Sequence, residues 1–124
     1  MDERTRRGRH AEALAARHLE RQGYAIVARN WSCPGGELDL VATRGDEVVF
    51  VEVRSTASHW LASPSETVVG AKQARVARAA DAWLRRTASP PPRIRFDVIA
   101  VSFRWPWPAR LEHLEDAFTA PWAF

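Results

Sequence analysis

Two acidic residues in a strand-like segment are the side chains best suited to chemistry. The segment GELDLVATRGDEVVFVEVRS, residues 36–55, places Asp39 and Glu52 inside two apolar runs. The runs flank Gly45-Asp46, a dipeptide that favours a two-residue hairpin turn. In such a hairpin Asp39 lies opposite Glu52, and charge gathers at one end of one face. The spacing therefore predicts a pair of facing carboxylates.

Facing carboxylates need a positive partner. Directly opposed Cβ atoms lie about 4.5–5.5 Å apart, so two ionised acids there repel each other and lose hydration. Mg²⁺ is the natural candidate, because proteins hold it through one or two carboxylates, waters and substrate phosphates. Mn²⁺ is the other candidate. The same register pairs Glu37 with Arg54, so a structural ion pair is an alternative, and a solvated strand end that binds nothing is another.

Two charged residues elsewhere extend this constellation. Glu12 lies at the edge of the apolar stripe of a predicted helix, which could aim it at the hairpin end as a third acid. The alternative is an exposed first-turn glutamate favoured by the helix dipole. Lys72 is the only lysine in the chain. It falls in the middle of an apolar helix face, where its ammonium group needs a partner or must reach water.

Two helices must carry these residues. Recurring apolar positions predict a first helix from Arg7 to Gln22, which Gly23 ends. The second helix carries Ala71 to Arg86. It could begin earlier, because the SPSE stretch at residues 63–66 has the pattern of a capping box with proline in the first turn.

Strands are predicted around these helices at residues 24–30, 37–44, 47–55, 93–103 and 109–114. The order of helix, three strands, helix and two strands predicts one α/β domain, with a mixed sheet and a helix on each side. Side chains alternate along a strand, so the hairpin should have one wholly apolar face. That face comprises Leu38, Leu40, Ala42, Val49, Val51 and Val53.

The composition favours one globular domain. The chain has 124 residues, of which 46% are hydrophobic and 27% charged, and these shares are ordinary for a soluble protein. The single cysteine, Cys33, cannot form an internal disulfide, and no cysteine and histidine spacing suggests structural zinc. No segment has signal-peptide or membrane-spanning character, so we expect a cytoplasmic protein without membrane contact.

Basic residues cluster at the amino terminus. They are Arg4, Arg6, Arg7 and Arg9. We expect residues 1–6 to form a flexible basic arm and residues 119–124 to form a tail. A basic arm is a common nucleic-acid contact, whereas the alternative is a solvated charge run in a chain that favours arginine over lysine.

The motifs in this order resemble one known family. GELDLVA and VVFVEVRS follow GRHAEALAARHLERQGYAIVARNW and precede AKQARVARAADAWL and RFDVIAV. Together they resemble the YraN family of small bacterial proteins, which is similar to the PD-(D/E)XK nuclease superfamily and to archaeal Holliday junction resolvases. The resemblance covers residues 8–118. It implies a restriction-endonuclease-like fold with an αβββαβ core.

The resemblance also implies roles for individual residues. Glu12 matches the first-helix acid of such nucleases, Asp39 the metal-binding aspartate, and Glu52 the acid of the E-x-K element. These three residues would hold magnesium, with manganese as a substitute. Arg54 stands where that element has lysine, and Lys72 matches the start of the second helix. The implied activity is metal-dependent hydrolysis of DNA phosphodiesters, with DNA a better candidate than RNA.

The expected contacts to nucleic acid are Arg54, Lys72, Gln73 and Arg75. Arg54 remains protonated and cannot serve as a base. Our hypothesis is that Lys72 supplies the missing ammonium group from the second helix. The rival interpretation is a catalytically inactive DNA-binding or protein-interaction module on the nuclease scaffold.

The carboxyl-terminal segment RWPWPARLEHLEDAFTAPWAF is rich in tryptophan and proline. It could bind a partner, form a dimer surface or stack on bases, or it could fold back on its own sheet. Cleavage of a branched junction would suit a two-fold homodimer, but no sequence feature identifies an interface. His113 is expected at the surface, and no histidine spacing suggests a catalytic triad.

Overall fold

The computed structural model describes residues 1–57, 70–86, 89, 91 and 93–119. Within these ranges the chain forms two helices and five strands. In chain order they are α1 (Glu3–Arg21), β1 (Ala25–Cys33), β2 (Gly36–Arg44), β3 (Glu47–Thr56), α2 (Gly70–Leu84), β4 (Arg93–Arg104) and β5 (Trp107–Leu114). This succession confirms the predicted order of helix, three strands, helix and two strands.

The five strands form one mixed sheet in the order β1-β2-β3-β4-β5. Neighbouring strands run antiparallel except β3 and β4, which run parallel. A parallel pair needs a crossover connection, and α2 lies in that connection. The topology is that of a single α/β domain with a restriction-endonuclease-like fold, as the sequence predicted.

One helix covers each face of the sheet. Side chains of β3 alternate between two hydrophobic clusters, as the pleat requires. The α1 cluster includes Ala11, Ala15, Leu19, Leu40, Ala42, Val49, Val51 and Ile99. The α2 cluster includes Leu38, Val41, Phe50, Val76, Ala80, Leu84, Phe96 and Val98. Most residues that α1 buries are alanines, which let the helix lie close to the strands.

Helix α1 begins at Glu3, earlier than the predicted start at Arg7. The Asp2 carboxylate accepts a hydrogen bond from the Thr5 backbone N–H at 2.8 Å, which caps the helix. Residues 3–6 are therefore the first turn of α1, where the sequence predicted an arm. Within the described ranges, neither helix is both long and apolar enough to cross a membrane.

Helix α2 begins at Gly70 and ends at Leu84. The earlier start considered at residues 63–66 lies outside the described residues. Gly36, at the start of β2, allows α2 to pack closely, because a Cβ atom there would collide with the Arg75 carbonyl oxygen and with Ala79. This contact holds the first half of α2 against the end of the hairpin.

The β2–β3 hairpin opens at Asp39. Its register follows the prediction from Arg44↔Glu47 to Leu40↔Val51, where the pairing ends. Strand β2 continues beside β1 instead, with Leu38 paired to Trp31. Leu38 consequently belongs to the α2 cluster while Leu40 belongs to the α1 cluster. The prediction that both share one face was wrong, because alternation restarts where β2 leaves β3.

A buried polar chain crosses the α1 side of the sheet. His113 Nε2 lies 2.7 Å from Asp97 Oδ2, and His113 Nδ1 lies 3.0 Å from His18 Nε2. Arg95 donates two hydrogen bonds of 2.8 Å to Asp97 and one of 2.8 Å to the Tyr24 hydroxyl. The expectation that His113 is a surface residue was wrong, because its ring joins this network.

Candidate functional site

Asp39 and Glu52 meet where the two strands separate. The Asp39 Oδ2 atom accepts a hydrogen bond of 2.8 Å from the Val53 backbone N–H. That N–H has no strand partner in β2, because the ladder has already ended. The carboxyl groups of Glu52 and Asp39 are close enough to share a hydrogen bond, which requires one of them to hold a proton. The structure thus brings together the two acids that the sequence placed opposite each other, although through the opened strands and not through a regular ladder pair.

The environment of this pair disfavours two negative charges. Burial, and next the charge of Asp39, raise the pKa of Glu52 to about 8, although Lys72 opposes the shift. Burial also raises the pKa of Asp39, against the hydrogen bond from Val53. Because the pKa of Glu52 lies near 8, Glu52 keeps its proton near neutral pH unless a further positive charge, beyond Lys72, arrives.

Lys72 is the positive charge that α2 already places beside the pair. Its Nζ atom lies 2.5 Å from Glu52 Oε1. The Lys72 side chain keeps 26% of its surface exposed, whereas the Glu52 side chain keeps 3%. The lysine therefore joins a buried carboxylate to solvent, which answers why a cation occupies an apolar helix face.

Glu12 is the third acid near the site. Burial, and then the charges of Asp39 and Glu37, raise its pKa, while a side-chain hydrogen bond with Asn30 opposes the shift. Since α1 starts at Glu3, Glu12 lies well beyond the first turn. The alternative of an exposed first-turn glutamate is therefore wrong.

Asn30 was missed in the sequence. Its backbone has a φ of 48°, a left-handed conformation that asparagine tolerates better than most residues. The turn in β1 lets its side chain meet Glu12. An asparagine inside an apolar strand was the only available signal, and it does not by itself point to a helix residue far along the chain.

The donor set fits a divalent cation bound by two carboxylates. Glu52 Oε1 is buried and receives no aligned hydrogen bond, even though the Lys72 ammonium is near it. Asp39 and Glu52 present hard oxygen donors of the kind that Mg²⁺ takes together with waters and phosphate oxygens. Among the described residues no group of three acids, histidines or cysteines forms a complete cage. Glu12 is therefore offset from the pair.

The other predicted contacts lie around this centre. Arg54 is half-buried in β3 and pairs in register with Ala100. Among the described residues no ion pair joins Arg54 to Glu37, because β2 and β3 have separated before those positions. Gln73 is half-buried near the start of α2, and Arg75 is exposed.

A cavity of about 410 Å³ adjoins the candidate site. It lies between the β1–β2 turn and α2, and its lining includes Ser32, Cys33, Glu37, Lys72 and Arg75. Lys72 is shared by the cavity and the ion pair with Glu52. A ligand in the cavity would therefore meet the same ammonium group that contacts the buried acid.

The model of the uncharacterised protein family UPF0102 matches residues 11–101. The chain belongs to this family. A UPF0102 protein of Frankia alni is 46% identical over 111 residues, which cover 90% of this chain and 92% of the relative. One from Nitratidesulfovibrio vulgaris strain DP4 is 42% identical over 118 residues, or 95% and 87% of the two chains. One from Rhodococcus jostii is 43% identical over 111 residues, or 90% and 94%.

Membership of UPF0102 confirms the YraN resemblance that the motifs indicated. The UPF0102 match spans every element of the candidate site, from Glu12 on α1 to Lys72 on α2. Strand β5 and the hairpin before it lie beyond the matched range.

Proposed function

We propose that this UPF0102 protein is a metal-dependent endonuclease that hydrolyses DNA phosphodiesters. The observation that carries the proposal is the buried contact between Asp39 and Glu52, with the Lys72 ammonium 2.5 Å from Glu52. Two carboxyl groups held together in a buried site, where β2 and β3 separate, favour a bound cation. Metal-dependent nuclease chemistry places such a cation next to the phosphate.

Asp39 and Glu52 would hold the ion, which we expect to be magnesium with manganese as a substitute. When bound, the ion supplies Lewis-acid activation of the phosphodiester. The hydrogen bond from the Val53 N–H holds one Asp39 oxygen in place. Glu12 is placed to accept hydrogen bonds from water at the rim of the site, together with Asn30.

Lys72 takes the part that lysine of the E-x-K element has in related nucleases. Arg54 keeps its proton and can contact a phosphate, but it cannot accept a proton. A cation beside Glu52 would release the Lys72 ammonium from its ion pair. The freed ammonium could then stabilise negative charge that develops on the phosphate.

DNA would lie along the start of α2. Lys72 and Arg75 border the cavity of about 410 Å³, with Gln73 between them in the chain. Contacts of this kind hold the backbone of a nucleic acid and carry no base information. We therefore expect selection by the shape of the DNA and not by its sequence.

Titration calorimetry with Mn²⁺ and Mg²⁺ tests the metal site. Wild-type protein should release or absorb binding heat, and Asp39→Asn and Glu52→Gln should abolish it while preserving side-chain volume. Glu112→Gln is the matched control, because Glu112 pairs with Arg110 on β5 and not with Asp39 or Glu52. Undiminished metal binding in both site variants would overturn the proposal.

A catalytically inactive nucleic-acid-binding or protein-interaction module is the second candidate. Two observations favour it: Arg54 stands where the E-x-K element has lysine, and the Lys72 ammonium already occupies a position beside Glu52. An inactive module should show no heat of metal binding in the calorimetric titration. It should also leave labelled single-stranded, duplex, flap and junction DNA uncleaved in the presence of Mn²⁺. Cleavage that disappears in Glu52→Gln would exclude it.

A further inference from the structure

The β4–β5 hairpin exposes two tryptophans, Trp105 in its turn and Trp107 at the start of β5. Trp105 is 90% exposed and Trp107 is 63% exposed. Strand β5 does fold back on its own sheet, since Leu111 pairs with Val101. The indole groups of Trp105 and Trp107 nevertheless remain exposed to solvent. Neighbouring aromatic side chains that remain exposed to solvent are typical of a surface that binds a ligand or partner.

A shallow groove connects these tryptophans to the start of α1. Two cavities of about 250 and 340 Å³ share His10 and Phe103 in their linings. The rings of these two residues stack with centroids 5.1 Å apart. The larger cavity is also bordered by Trp105 and Trp107. We refer to the whole surface as the α1–hairpin groove.

The other end of the groove is cationic. Arg6 and Arg7 border the smaller cavity. Glu3 lies 3.6 Å from Arg6, but both side chains are largely exposed, so this pair neutralises little. The Nε atom of Arg7 is buried, and it lacks a hydrogen-bond partner in the described part of the chain. The groove thus offers aromatic faces at one end and guanidinium groups at the other.

We propose that the α1–hairpin groove binds a single-stranded segment of nucleic acid. Bases would stack on Trp105 and Trp107, and phosphates would contact Arg6 and Arg7. Stacking of this type accepts any base, whereas a continuous duplex keeps its bases hidden. The inference extends the proposed function, because it makes the substrate a DNA with an unpaired strand.

A second copy of the chain fits the groove less well. A two-fold contact would place the same patch of each protomer against the other. The interface would then hold the arginines of both copies, with Glu3 as the one acid among the described residues that line each groove. The charge of the groove instead complements a polyanion.

The test measures binding without metal or cleavage. Binding is measured by fluorescence anisotropy with a labelled oligothymidylate of about 12 nucleotides, a length that matches the site size of such surfaces. EDTA in the buffer removes any contribution of the metal site. Trp105→Ala combined with Trp107→Ala should weaken binding at least about tenfold. Val27→Ala is the control, because Val27 is 47% exposed but lies on β1 at the opposite edge of the sheet.

Salt dependence tests the cationic end. Arg6→Ala with Arg7→Ala should reduce the slope of log affinity against log salt by about 1.4, the value for two phosphate contacts on a single strand. Arg93→Ala is the control, since Arg93 lies at the other end of β4. A duplex of the same length should compete poorly.

Two results would overturn the inference. One is unchanged affinity after removal of both indoles in a protein with wild-type circular dichroism and Tm. The other is a dimer in sedimentation velocity that the tryptophan double variant converts to monomer without any change in oligonucleotide binding. Because the assay contains EDTA, neither result depends on whether Asp39 and Glu52 bind a metal.

Discussion

Lys72 reaches from α2 to within 2.5 Å of the buried Glu52 on β3. One ammonium group thereby faces a carboxyl that also contacts Asp39. The Glu52 side chain is almost wholly shielded from water, whereas the Lys72 side chain remains partly exposed to solvent. The lysine is therefore the group that solvent or a ligand can reach, and Glu52 is the buried part of the contact.

Replacement of Lys72 tests its role in the reaction. We expect Lys72→Ala to lower the rate of Mn²⁺-dependent DNA cleavage by about 10²-fold, because an ammonium group aimed at developing charge contributes on that scale. Arg78→Ala is the control on the same helix, because Arg78 is exposed and donates a long hydrogen bond of 3.4 Å to the Gly35 carbonyl oxygen, away from Glu52. Undiminished cleavage by Lys72→Ala would show that the ammonium group is not required.

The stability of the protein should fall as pH rises through neutrality. Burial and the charge of Asp39 raise the pKa of Glu52 to about 8, so between the ordinary glutamate pKa and about 8 the folded state holds a proton that the unfolded state has lost. By linkage, this stabilisation is complete at low pH and is lost as pH rises through that window. Urea unfolding from about pH 5 to about pH 9 measures it.

Glu52→Gln should flatten this pH dependence, because the amide cannot ionise. Saturating Mn²⁺ should also restore stability above neutral pH in the wild type, since a bound cation favours the ionised pair. The same steep loss of stability in Glu52→Gln would assign the effect to another group.

The register of the hairpin could be predicted because it depends on local rules. Gly45-Asp46 set the turn, and alternation carried the pairing correctly to Leu40↔Val51. The separation at Asp39 could not be predicted. It depends on β2 keeping its pairing with β1 while the Asp39 side chain takes the Val53 N–H, and both are tertiary contacts.

The same distinction between local rules and tertiary contacts explains which roles of charged residues could be predicted from the sequence. Lys72 could be identified from sequence because a lysine on an apolar helix face conflicts with burial, although its partner could not be named. The His113 network was missed, because His113, Asp97 and His18 come from β5, β4 and α1 and share no sequence spacing. Only the sheet order brings them together.

Asp97 is expected to be essential for stability. Burial alone would raise the pKa of Asp97, but hydrogen bonds from His113 and Arg95 outweigh burial and lower it. Asp97→Ala removes the carboxylate that Arg95 and His113 share, leaving Arg95 with Glu47 and Tyr24 and His113 with His18. The loss of these charged hydrogen bonds in a buried site should lower the free energy of unfolding by about 3 kcal/mol. The wild type should lose this contribution in acid, as pH falls through the lowered pKa of Asp97.

Asp46→Ala is the matched control for Asp97. Asp46 also pairs with an arginine, Arg93, but both side chains are more than half exposed. Its loss should change the free energy of unfolding by less than about 1 kcal/mol. Equal effects of the two substitutions in urea unfolding would contradict the importance assigned to the buried network.

Close packing at Gly36 links stability to the candidate site. Gly36→Ala forces a methyl group against the Arg75 carbonyl oxygen and Ala79, so α2 must shift, at a cost of about 1–3 kcal/mol. Because α2 carries Lys72, the shift should also change the Mn²⁺ affinity. Gly8→Ala is the control: its methyl group meets nothing within 4 Å, and alanine favours the helix by about 1 kcal/mol. Thermal unfolding should therefore show a lower Tm for Gly36→Ala and a higher Tm for Gly8→Ala, and a Gly36→Ala protein of wild-type Tm would refute the close approach.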